Sequence, residues 1–214
     1  MYIPDPFNVA DKAELAALMR AQPFATLISA GPSGLNVTHL PTVLKTEGDR
    51  PSVIECHVAR ANPQWKELLV RNDALMIYGG PQGYIRPGWY PSKTINGKVV
   101  PTWNYTVAHA HGRADVIEDL VWLERHVVEL TDQQEHDHPA PWSTSDAPRS
   151  YFEAMLRGIV GIRLEITRLE GKCKMSQNRD EADRAGVIVG LRSRDAASGL
   201  ELANLVERVN RGQN

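Results

Sequence analysis

Along residues 98–112, KVVPTWNYTVAHAHG, apolar and polar positions alternate. An extended chain would carry Val107, His109 and His111 on one face and Ala108 and Ala110 on the other. The same two-residue period sets Ile162, Leu164 and Ile166 against Arg163, Glu165 and Thr167, which predicts a half-exposed strand. Apolar runs bounded by turn residues predict further strands at Phe24–Ile28, Leu35–Leu44, Ser52–Ala59 and Ala74–Tyr78. Gly31-Pro32-Ser33-Gly34 supplies hairpin chemistry between the first two. Gly79–Gly83 reads as a loop, and the aromatic, proline-rich Tyr84–Lys93 as ordered but irregular.

Helical periods fill most of the remainder. Asp11 with Glu14 forms a capping-box pattern ahead of Leu15, Leu18 and Met19. Asn62 as N-cap with Pro63 at the first helical position starts a helix running to Val70. Residues 117–131 predict an amphipathic helix with Leu120, Val121, Val127 and Val128 inward. Asp146 is expected to cap another helix through Leu156, closed by Gly158. The tail is expected to be helical, broken at Gly186 or Gly190 and restarting near Ser198. Roughly six strands in hairpin-like spacing against four or five helices predict an α+β fold, mainly antiparallel, with a β-barrel and peripheral helices.

Composition changes this picture little. A chain of 214 residues with 42% hydrophobic and 23% charged positions suits a single domain over 1–214, with 170–214 a basic helical extension packed on it. No apolar run reaches the ~20 residues of a membrane helix. The N-terminus lacks a signal pattern, and only Cys56 and Cys173 are present, so a cytoplasmic protein with reduced thiols is expected. Charge is uneven. From Arg157 onward eleven Lys/Arg face eight Asp/Glu, a net +3, whereas the first 156 residues hold thirteen against eighteen, a net −5. That balance makes direct DNA binding doubtful, and no basic recognition helix is evident.

The chemistry-bearing residues suggest a planar, phosphate-bearing ligand. Arg60, Lys174 and Ser176 are suitable donors to a phosphate dianion. Trp103 and Tyr105 supply flat apolar faces, while Asn104, Gln177, Asn178 and His57 can serve a heterocycle's polar edge. His109 and His111 form an HxH pair, but metal sites usually need three convergent ligands, so no metal is expected. No nucleophile elbow, GxGxxG or phosphate loop occurs.

Several segments in order, T38-H-L-P41, H57-V-A-R-A-N-P-Q-W65, W89-Y-P-S-K93, V99-V-P-T-W-N-Y105 and K174-M-S-Q-N178, give the chain a full-length resemblance to a known family. It resembles the PaiB-type FMN-binding negative transcriptional regulators. The resemblance implies a split β-barrel of the flavin-reductase or pyridoxamine-phosphate-oxidase kind. It also implies a homodimer with FMN between subunits and repression of sporulation and protease genes in some bacteria. Carried over residue by residue, it implies FMN contacts at Arg60, Asn62, Trp103, Asn104, Tyr105, Lys174, Ser176 and Gln177, with His39, His57 and His109 as secondary candidates. One departure is Arg86-Pro87-Gly88, where the family carries Ser-Pro-Ser, which adds a charge beside the expected ligand mouth. The alternative function is a small FMN-dependent oxidoreductase using NAD(P)H, without a DNA role.

Overall fold

The computed structural model describes residues 1–32, 34–194 and 197–211. Among them are seven strands: β1 (Phe24–Gly31), β2 (Gly34–Pro41), β3 (Val43–Glu47), β4 (Arg50–Ala59), β5 (Asp73–Ile85), β6 (Thr102–Ile117) and β7 (Ile159–Lys174). They form one sheet in the order β2-β1-β5-β6-β7-β4-β3. β1 pairs antiparallel with β2 and β5, and β4 with β3 and β7. Seven α-helices accompany them: α1 (Lys12–Ala21), α2 (Gln64–Val70), α3 (Ser92–Ile95), α4 (Leu120–Glu135), α5 (Arg149–Arg157), α6 (Glu181–Arg192) and α7 (Ala197–Asn210). The α+β, mainly antiparallel class read from the sequence is the one observed.

The chain divides into two compact units. One comprises 1–10, 79–107 and 171–214; the other comprises 11–78 and 108–170. We refer to them as the outer-segment unit and the central unit.

In the outer-segment unit α6 and α7 enclose a core of Ile85, Tyr90, Met175, Val187, Leu191 and Val206. α6 runs unbroken through Gly186 and Gly190, where the sequence predicted an interruption. The glycines serve packing. A Cβ at Gly186 would lie 2.0 Å from the Trp89 carbonyl oxygen, and one at Gly190 would lie 2.2 Å from the Trp89 ring. Each glycine costs about 1 kcal/mol of helix propensity relative to alanine. Burial of the large indole offsets that cost. The Gly79–Gly83 stretch is also corrected, since it is strand within β5 rather than loop. Gly83 admits Leu202, whose Cδ2 would lie 2.7 Å from an added Cβ, so close approach and not chain reversal selects glycine there.

The central unit begins with the β1–β2 hairpin, in register from Phe24 opposite Pro41 to Gly31 opposite Gly34. Gly34 has φ +112°, a conformation open to glycine. β6 keeps the alternation read from the sequence: Ala108 and Ala110 are fully buried, while His109 and His111 are half-buried. α4 is rotated relative to the sequence reading. Leu123, His126 and Leu130 form its buried face, whereas Val121 is 77% exposed. The stripe was obscured because its middle member is a histidine. The helix expected after Asp146 starts later, at Arg149. Asp146 instead closes a capping box with Ser143 around a single 3-10 turn.

Candidate functional site

The eleven candidate positions separate into distinct groups. In the outer-segment unit β6 carries Trp103, Asn104 and Tyr105, and the end of β7 carries Lys174, followed by Ser176 and Gln177. In the central unit lie Arg60, Asn62, His39, His57 and His109.

The outer-segment group is built around the β7 terminus. Asn104 is fully buried and donates its amide to Ser176 Oγ at 3.0 Å. Ser176 has φ +65°, the left-handed region, where a non-glycine residue costs roughly 1–2 kcal/mol. Gln177 folds back on the turn, accepting from Met175 N and donating to the Cys173 carbonyl. These three side chains are occupied in holding the turn rigid.

The turn presents cations. Lys174 Nζ donates to Thr102 Oγ1 and, at 3.1 Å, to the Trp103 carbonyl. Burial, then the neighbouring Lys172 and Arg179, hold its pKa below the usual lysine value. Lys172 lies over the rings of Tyr105 and Tyr2, at 5.3 and 5.5 Å, and donates to the Tyr2 carbonyl. The Arg179 guanidinium stands 4.6 Å from the Tyr90 ring centre. Among the described residues, ion pairs to carboxylates involve none of these three cations. Trp103, 46% exposed, hydrogen-bonds Gln82 and leans on Tyr84 with ring centres 6.1 Å apart. Exposed aromatic faces beside clustered cations suit a flat ligand with an anionic tail.

The central-unit residues are arranged differently. Arg60 donates to the carbonyls of Arg157, at 2.8 Å, and Ile159, at 3.1 Å, and pairs with Glu118. Asn62 accepts from Gln64 N at 2.9 Å and donates to Thr38 Oγ1. Asn62 thus turns the chain into α2, but the N-cap is Pro63 and the helix begins at Gln64, one residue later than predicted. His39 Nδ1 meets Thr26 Oγ1 at 3.0 Å across β1 and β2. His57 Nδ1 meets His126 Nε2 at 3.1 Å, and His126 stacks on Trp122. Burial lowers the pKa of His57, and burial, then His57, Arg125 and Lys45, lower that of His126 to about 3. Cys56 is no nucleophile, since burial, then Glu55, pushes its thiol up to about 12.

Sequence reasoning missed Lys172, Arg179, His126 and Glu170. Lys172 was within reach, because Lys172 and Lys174 share a strand face by parity. The other three join their groups only through tertiary pairing.

A family model described as "Putative FMN-binding domain" matches residues 1–168. The chain is 31% identical to "Protease synthase and sporulation protein PAI 2" of Bacillus subtilis, covering 97% of each chain. It is 33% identical to protein AN0679 of Emericella nidulans, covering 96% of each. Among solved structures, the FAD and heme binding protein of Mycobacterium smegmatis superposes with a TM-score of 0.59 at 15% identity, covering 86% of this chain and 80% of that one. That likeness shows the fold alone, a split barrel. With whole-length relatives and a matched flavin-domain model, this chain belongs to the PaiB-type family of FMN-binding-domain proteins.

Proposed function

We propose that this chain binds FMN, with the phosphate held in the outer-segment unit by Lys174 and by the positive field of Lys172 and Arg179. One observation carries the reading: three clustered cations, Lys172 buried and Lys174 partly buried, with no carboxylate ion-paired to them among the described residues. Such a cluster is unfavourable until an anion joins it. Trp103 and Tyr105 provide flat faces for the ring system, and Asn104, Ser176 and Gln177 fix the turn beneath the lysine. Bound FMN would supply a redox-active chromophore. The protein residues bind and orient it and lower the cost of bringing its phosphate out of water.

The relative's name, joined to sporulation and protease synthesis, supports a regulatory role, negative in sign as the family resemblance implies. We infer a homodimer that regulates through its flavin or a partner protein, since the net −5 of the first 156 residues opposes tight DNA contact. Titration of the purified protein with FMN should quench flavin fluorescence saturably, and riboflavin should bind more weakly. Absence of saturable FMN binding up to ~100 μM would sink the reading, since that affinity is worth only about 5.5 kcal/mol. Anisotropy with genomic DNA fragments at ~0.15 M salt should show only weak, sequence-independent retention.

A further inference from the structure

The HxH pair has a third member that the sequence did not show. On β6, His109 and His111 project to one face, and β7 brings Glu170 to them. One ligand atom from each of the three lies within 4.8 Å of the others. His111 Nε2 is 3.2 Å from Glu170 Oε2. With its proton on Nε2, His111 donates to the carboxylate; with the proton on Nδ1, Nε2 accepts from a neighbouring cation instead. Arg168 supplies one: its Nη2 is 3.0 Å from His111 Nε2, and its Nη1 is 2.6 Å from Glu170 Oε1.

We propose that His109, His111 and Glu170 form a divalent transition-metal site, with Arg168 as a resident cation that the metal displaces. Two imidazoles and a carboxylate match zinc, cobalt or nickel, and they leave coordination positions open for water or a small ligand. The three ligand side chains are partly buried, which limits competing hydration. The Arg168 side chain is 55% exposed, so it can leave for solvent without repacking the core. Metal entry moves the guanidinium out and places a harder charge on the same donors. The exchange balances without a redox step: the metal loses water, and His111 keeps its proton on Nδ1. This proposal does not depend on the flavin reading, because all four residues belong to the central unit. It assigns His109 to metal rather than to flavin.

Titration of chelator-treated, full-length protein with Co²⁺ and with Zn²⁺ tests it. Expected are one saturable metal per chain, a Co²⁺ d–d spectrum of low coordination number, and losses of at least about tenfold in affinity in His109→Ala and Glu170→Gln. Arg168→Ala should bind more tightly than the natural chain, because a competing cation is gone. That variant keeps the three ligands, so it gives an answer even if a ligand variant misfolds. Binding that survives in His109→Ala would place the metal elsewhere and overturn the site. So would failure of both the natural chain and Arg168→Ala to bind by ~100 μM. Equal affinity of the natural chain and Arg168→Ala would overturn the displacement.

Discussion

Arg60 and Lys174 looked equivalent in the sequence: each is a cation beside a turn and next to hydrogen-bonding residues. In the molecule they are opposites. Arg60 has its three nitrogens committed to two carbonyls and a carboxylate of the central unit. Lys174 faces two further cations, and burial depresses its pKa. A cation satisfied by its own protein holds strands together, whereas one surrounded by like charge is poised for a ligand. The two units differ generally in this way. The central unit pairs several polar groups with one another, Asn62 and Gln64 with Thr38 and His57 with His126, although His126 Nδ1 is buried without a hydrogen-bond partner among the described residues. The outer-segment unit holds a basic cluster with no ion-paired carboxylate among the described residues.

The sharpest test of that difference is Lys174→Ala. Loss of one charge-assisted contact should weaken FMN by about ten- to a hundredfold, roughly 1.5–3 kcal/mol, with little change for riboflavin, which lacks the phosphate. Equal weakening of both ligands, measured by fluorescence titration, would move Lys174 away from the phosphate. Arg60→Ala should do the reverse. It strands the carbonyls of Arg157 and Ile159, so denaturant unfolding should show a loss of about 1–2 kcal/mol while FMN affinity stays put. Should Arg60→Ala cost more FMN affinity than Lys174→Ala, the assignment of roles is inverted.

Much of the fold could be read from local pattern because its strands alternate and its turns carry glycine and proline. The β6 alternation was correct residue for residue, with both alanines buried. The misreadings share a cause. Gly83, Gly186 and Gly190 signal breaks locally, but each is set by a residue far away in the chain, Leu202 or Trp89. Likewise, the α4 stripe passes through His126, whose burial depends on its contacts with His57 and Trp122. At the site, residue types suggested a basic and aromatic set. Which cations were already neutralised depended on partners such as Glu118, 58 positions from Arg60. Tertiary pairing of that range leaves no periodicity to read.

A smaller effect probes the turn under Lys174. Ser176→Ala and Ser176→Gly both remove the hydroxyl that pairs with Asn104, but only glycine relieves the positive φ. The glycine variant should therefore be more stable than the alanine variant by about 1 kcal/mol in chemical denaturation. Matching stabilities would mean that Ser176 stores no backbone strain, and that its hydrogen bond alone shapes the turn.

The smallest effect near neutral pH concerns the central unit's histidine pair. His57 and His126 are both held neutral, with one ring nitrogen donating to the other. Burial is the leading cause for each, and it lowers the folded pKa below the unfolded value of about 6.5. A lowered folded pKa on a base means that the unfolded chain binds the proton first. Stability from the neutral pair is thus complete above pH ~6.5 and declines as pH falls toward the folded value, about 3 for His126. From pH 7 to pH 6 the loss for one such histidine should stay under about 1 kcal/mol, growing by up to about 1.4 kcal/mol for each further unit. Urea melts at pH 7, 6 and 5 measure this slope, and His126→Gln, which keeps a polar group but cannot take up a proton, should flatten it. Lys174→Ala should leave the slope unchanged, because the lysine is protonated throughout that range in the unfolded chain and does not report on the pair. An equal slope in the natural chain and His126→Gln would show that acid acts through groups other than this histidine pair.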